Sequence, residues 1–238
     1  MKHLILISLL FSVNLAFAQF AVIKGENDVN VRTEANPESE IITTLEKGTI
    51  VYAFGFSTSE GYYPIEVEKD GKKINGYIKA NQFSHLVSAF ENDGWYFKPK
   101  LTKDGKSIRI SHNSASVTIT KKPFIETENE IKYSDKYRFV EKINRKEFYG
   151  TDGTIPKFQY EKIEIEYLGE EEVKTIEVPK STYDNLYQPN LKKTDISYDK
   201  INDTIYLEAM NSDGAGGHAV LWIFKNGVFE RQMVVTSF

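Results

Sequence analysis

The chain has 238 residues, 40% of them hydrophobic and 27% charged, which is room for one large hydrophobic core or two small ones. Its 30 Lys and Arg against 34 Asp and Glu leave a net charge of −4, so no basic surface invites nucleic acid or an anionic membrane. The absence of cysteine argues against a disulfide framework, a thiol nucleophile and a lipid-modified lipoprotein.

The N-terminus reads as a processing signal. Met1-Lys2-His3 supplies positive charge, Leu4 to Phe11 is an apolar core, and Ala16-Phe17-Ala18 is an A-x-A cleavage site. This pattern predicts a signal peptide over 1–18 and a mature chain from Gln19, periplasmic or secreted; the alternative is an uncleaved anchor. No later segment approaches the roughly 20 apolar residues of a spanning helix.

From residue 19 the chain is a series of short β runs. Val29 and Val31 alternate with Asn30 and Arg32. Glu34 to Glu40 is a polar loop, and Ile41, Ile42 and Leu45 return to the core. Lys47-Gly48 is a turn that predicts positive φ at Gly48. Thr49 to Phe56 and Tyr62 to Val67 are strand-like, and Asp70-Gly71 joins the latter to Ile74–Ile78 as a hairpin. Pro64 has no amide to donate, which predicts an edge strand or a bulge. Arg32 is read as a brace for the loop.

The order of these pieces resembles the bacterial Src-homology-3-like (SH3b) family over residues 20–88. The resemblance rests on Val29-Asn30-Val31-Arg32, Ile41-Ile42 with Leu45 and Lys47-Gly48, Gly61-Tyr62-Tyr63, and Gly76-Tyr77-Ile78. Tyr63 and Tyr77 stand where tryptophan is usual. The resemblance implies a small β-barrel over 19–88 that targets peptidoglycan peptide or an envelope protein, with Tyr62, Tyr63 and Tyr77 as candidate ligand-binding residues. The same rings could instead fill a small core, and both readings stay open.

Glu91 to Gly94 marks a boundary, and Trp95-Tyr96-Phe97 opens a second β-rich body over 91–238, sandwich-like or α+β with minor helix. Lys103 to Lys106 is a turn before a strand at Ser107–Ser111, and Ser116–Thr120 alternates as another. Residues 121–156 are irregular yet too aromatic to be disordered. Phe158 to Leu168 alternates, with Phe158, Tyr160, Lys162, Glu164 and Glu166 on one face and Ile163, Ile165 and Tyr167 on the other. Val173–Val178 returns, residues 179–186 suit one short helix, and Thr204–Ala209 is a strand. Asn226-Gly227 predicts a hairpin in which Trp222 faces Arg231 and Phe224 faces Phe229.

Asn211 to His218 is a glycine-rich loop that would suit an anion or, through Asn211 and Asp213, calcium; it lacks the full phosphate-loop and calcium-hand patterns, and a plain hairpin connection is the favoured reading. The mature chain's histidines, His85, His112 and His218, show no metal-ligand spacing, and no Gly-x-Ser-x-Gly elbow occurs. Asp104, Asp152 and the Glu170–Glu172 run could supply paired carboxylates, and the run is better read as a solvated turn.

The expectation is a mainly β, exported, non-catalytic envelope-binding protein without catalytic residue, metal or cofactor. The alternatives are a cell-wall hydrolase with its site in 91–238, and a structural partner-binding protein that does not touch the wall.

Overall fold

The computed structural model describes residues 19–55, 57–90, 100–112, 115–136, 138–168, 172–212 and 214–236. The export signal, the boundary at 91–94, the Trp95-Tyr96-Phe97 run, Asp213, Glu170 and Glu171 lie outside the described residues.

The molecule is mainly β. Its N-terminal sheet contains β1 (Gln19–Ile23), β2 (Val29–Arg32), β3 (Ile41–Leu45), β4 (Ile50–Ala53), β5 (Tyr62–Lys69), β6 (Lys72–Lys79) and β7 (Phe83–His85), followed by a short helix α1 (Leu86–Phe90). The strands pair in the order β3-β2-β6-β5-β4-β1-β7. Thus β3 and β7 are edges, and no sheet of the described residues closes into a barrel.

The alternation read from the sequence shapes this sheet. Val29, Val31, Val51, Ala53, Ile65, Val67 and Ile78 point to one side and bury together with Ala21, Ile23, Leu45 and Phe83. Gly48 has φ +87°, and Asp70 and Gly71 have φ 53° and 69°, as the Lys-Gly and Asp-Gly turns require. Gly76 is fixed by a close approach: a Cβ there would lie 2.7 Å from the Arg32 carbonyl oxygen and 2.5 Å from Val31 Cγ1, where β2 meets β6.

Pro64 corrects the expectation of an edge strand, because β5 is interior, between β6 and β4. Its carbonyl accepts the Phe54 amide at 2.9 Å, so the side that lacks a donor faces β4. The ladder with β4 ends there, at Ala53↔Ile65, and few hydrogen bonds are lost.

The remainder holds three further sheets. One has the order β14-β13-β10-β9-β8, from β8 (Lys100–Leu101), β9 (Ser107–His112), β10 (Ala115–Pro123), β13 (Phe158–Leu168) and β14 (Val173–Glu177). A small pair, β11 (Ile131–Tyr133) and β12 (Val140–Ile143), structures the irregular stretch: Val140 and Ile143 bury with Tyr187, packed by Phe124 and Phe148. The last is a meander, β15 (Thr194–Asp199), β16 (Thr204–Asn211), β17 (His218–Lys225) and β18 (Val228–Thr236). The helix expected over 179–186 is only a 3-10 turn at Lys180–Thr182.

The meander is the middle layer of a three-layer stack. On one face Tyr206, Leu221, Ile223, Met233 and Val235 pack on Phe20, Ile50 and Tyr52 of the N-terminal sheet and on Leu86. On the other, Ile205, Leu207, Val220, Trp222 and Phe224 pack on Ile108, Val117, Ile119, Ile163 and Ile165. This explains β17, buried from His218 through Phe224: a strand covered on both faces needs an apolar run rather than alternation.

Two registers differ from expectation. A bulge between Ile223 and Phe224 pairs Trp222 with Gln232 and Ile223 with Arg231, while Phe224 does face Phe229. Asn226 and Gly227 have φ 51° and 75°, as a type I′ turn needs. In β13 the pairing jumps from Thr120↔Lys162 to Lys121↔Tyr160. The skipped residue reverses the alternation, so Tyr160 joins Ile163, Ile165 and Tyr167 in the core rather than the polar face.

Candidate functional site

The β5–β6 hairpin decides where the tyrosines point. Its register sets Tyr62 opposite Lys79, Tyr63 opposite Ile78, and Pro64 opposite Tyr77. Tyr63 shares the inner face with Ile65 and Val67, and its half-buried ring meets Phe83 edge-on at 5.2 Å. Tyr62 and Tyr77 share the outer face. Tyr62 is only 3% exposed, with Lys79 Nζ 5.5 Å from its ring centre and its amide donating to Thr58 Oγ1 at 3.2 Å. Tyr77 is half-buried between Pro64 on β5 and Arg32 on β2.

The structure therefore brings two of the three tyrosines to one face and turns the third inward. It adds Pro64 and Arg32 to them as a row across three strands, Pro64–Tyr77–Arg32. Arg32 Nη1 donates to the Ser39 carbonyl at 2.6 Å, so the expected brace is present. That bond pre-orients the guanidinium and leaves its other N–H groups for a partner. Alternation within each strand gives only the face, and the register then sets Pro64 and Arg32 opposite Tyr77.

The Asn211–His218 loop turns its polar ends inward. Asn211 Oδ1 accepts from the Tyr160 hydroxyl and from the Asn190 amide, both at 3.0 Å. Asn211 Nδ2 lies 3.2 Å from His218 Nε2, and His218 Nδ1 lies 3.5 Å from the Gly216 carbonyl. Because an amide NH2 can only donate, Nε2 is the acceptor and Nδ1 carries the proton. Burial pushes the His218 imidazolium pKa down to about 4, against a weaker raising contribution from Gly216, so the ring is neutral at pH 7. Burial pushes the Tyr160 hydroxyl pKa far above its usual value, with the Asn211 hydrogen bond opposing. These groups satisfy one another, which is the arrangement of a structural connection.

Asp104 and His85 stand apart from this loop and from each other. Asp104 sits in the β8–β9 turn, where hydrogen bonds from Thr102 and the Lys106 amide lower its pKa. His85 stacks edge-on to Phe83 at 5.6 Å, and burial lowers its pKa. Among the described residues no group of three or more His, Cys, Asp or Glu side chains is placed to hold a metal ion.

No family model, no curated protein and no solved structure matches this chain.

Proposed function

We propose that the chain is an exported, non-catalytic binding protein of the cell envelope. On this reading residues 1–18 are removed, residues 19–88 form an SH3-like module with an open seam, and residues 91–238 are the body that carries it. The module contacts a peptidoglycan peptide or an envelope protein.

The observation that carries the proposal is the Pro64–Tyr77–Arg32 row on the outer face of the N-terminal sheet. The meander covers the outer face at β1 and β4, through Phe20, Ile50 and Tyr52, but the row lies on β2, β5 and β6. Its chemistry suits a peptide: the proline and the tyrosine ring bury apolar area, the hydroxyl reaches a backbone group, and the guanidinium takes a carboxylate bidentately.

The test is retention of the purified protein on peptidoglycan sacculi, first for wild type and then for Tyr77→Ala and Arg32→Ala. Variants that melt like wild type and lose retention by about five-fold or more support the site. A wild type that is not retained removes the wall as the ligand, and folded variants retained as well as wild type remove the row.

A further inference from the structure

A second site lies away from the tyrosine face, at the seam between the N-terminal sheet and the meander. A cavity of about 250 Å³ opens there. Phe20 and Tyr52 line it from the N-terminal sheet, and Met210 and Ala219 from the meander. Two acids stand in this lining, Glu208 on β16 and Asp195 on β15, and the register sets them directly opposite each other. Lys192 and Lys193 also line it and are exposed.

Glu208 is anomalous. Its carboxyl accepts the Phe20 amide, but Oε2 is cut off from water with no hydrogen-bond partner. An unpaired buried carboxyl oxygen is costly, and a second acid directly across the ladder adds to the cost. Burial first, and the Asp195 charge second, push the Glu208 pKa up to about 8. The site is thus an apolar cleft holding a carboxylic acid that a positive charge would convert to a carboxylate.

We propose that this cleft binds a small organic amine, its ammonium group against Glu208 and Asp195 and its hydrocarbon body against Phe20, Tyr52 and Met210. A primary ammonium is compact and carries three donors, so a turn of the Glu208 carboxyl about its terminal bond lets it satisfy Oε2 and reach the neighbouring acid. The aromatic rings favour a cation attached to an apolar body. A bare divalent ion fits less well, because calcium needs six to eight oxygen ligands and two carboxyl groups fall short. The exposed lysines act through solvent and are screened, so the buried end decides the sign of the ligand.

Binding carries a proton balance. The ammonium enters charged, Glu208 gives up its proton to solvent, and a carboxylate–ammonium pair remains. The titratable and charged groups facing Glu208 are Asp195 on its own sheet, Tyr52 across the seam, and Lys192 and Lys193. Glu208, held protonated by burial and by the Asp195 charge, is the source of the released proton.

The test titrates the intact chain with hexylamine, 1-hexanol and hexanoate by calorimetry. At pH 8 hexylamine should bind about ten-fold or more tightly than 1-hexanol, and hexanoate more weakly than either. The hexylamine Kd should fall about ten-fold per pH unit between pH 6 and 7 and level off above pH 8. Glu208→Gln keeps a neutral group of the same shape, so it should fold while losing both the amine preference and the pH slope. Met210→Trp fills the cleft without touching Glu208 and should abolish binding of all three probes. Equal binding of hexanol and hexylamine, a pH slope that survives in Glu208→Gln, or no binding by any probe overturns the proposal.

Discussion

The N-terminal sheet and the meander are both antiparallel, yet they are built on different terms. In the N-terminal sheet the inner residues make their own core, and the outer face of β5 and β6 keeps Tyr77 and Lys79 within reach of solvent. In the meander β17 has no wet face: Leu221 and Ile223 bury against one neighbouring sheet, Val220, Trp222 and Phe224 against the other. A strand with one wet face tolerates polar residues at every second position and can carry a binding surface. A strand between two layers tolerates almost none, and its polar exceptions, Glu208 on β16 and His218 on β17, become the most perturbed groups of the meander.

The largest effect should come from the middle layer. Trp222 is fully buried, and its Nε1 donates to Thr182 Oγ1 at 3.1 Å. Trp222→Ala should cost about 3–5 kcal/mol, read from urea denaturation, because it opens a cavity and removes a buried hydrogen bond to Thr182 Oγ1, whose own hydroxyl still donates to the Pro179 carbonyl. A loss near 1 kcal/mol would mean that the meander is not the structural centre.

Two hairpin glycines differ in what surrounds them. Gly71 and Gly227 both have positive φ, in Asp-Gly and Asn-Gly turns. Nothing lies within 4 Å of a Cβ at Gly71, whereas at Gly227 it would collide with the Tyr167 hydroxyl. Gly71→Val should therefore cost backbone strain alone, about 1–3 kcal/mol, and Gly227→Val more than that. Equal losses would show that Tyr167 yields freely and that the turn is not pressed against the neighbouring sheet.

The two perturbed acid–base groups predict an unusual pH profile. The folded pKa of His218 is lowered to about 4, so its contribution is fully present above the ordinary histidine value and is lost as pH falls from about 6.5 to 4. The folded pKa of Glu208 is raised to about 8, so its contribution is present below the ordinary carboxyl value and is lost as pH rises from about 4.5 to 8. Between pH 4.5 and 6.5 the two slopes, each about 1.4 kcal/mol per pH unit, have opposite sign and cancel. Urea midpoints of wild type should be nearly flat over that range. His218→Gln should expose a stability that falls with rising pH, and Glu208→Gln one that rises. Parallel profiles for wild type and both variants would contradict the assigned protonation states.

Legibility followed the same division. Strands β2, β5 and β6 were readable because one face is wet and the period of two survives, and the turns at Gly48 and Asp70-Gly71 follow from backbone chemistry alone. Helix α1 and strand β15 went unread, because Thr194-Asp195-Ile196-Ser197-Tyr198-Asp199 is polar enough to pass for a loop while its neighbour β16 buries it. Bulges at Glu161 and near Phe224 each inserted one residue and reversed the faces beyond it, which periodicity cannot anticipate. For the candidate site, the sequence supplied Tyr62, Tyr63 and Tyr77 but treated them as one group. Only the register shows that Tyr63 belongs to the inner face and that Pro64 and Arg32 flank Tyr77. The seam cavity had one faint signal, a lone Glu208 inside the apolar run Ile205 to Met210.

The smallest effect tests the wet face itself. Tyr77 is half-buried, takes no part in the inner core, and lies beside the open surface of β6. Its truncation removes contacts with Pro64 and Arg32 but leaves no cavity in the packed interior. Tyr77→Ala should therefore cost about 1 kcal/mol or less. Tyr63→Ala, which removes a ring packed against Phe83, should cost distinctly more. Melting curves for the pair decide whether the two faces of the hairpin differ as described. If Tyr77→Ala destabilises as much as Tyr63→Ala, the outer face is core in disguise, and the row loses its standing as a surface that a peptide can reach.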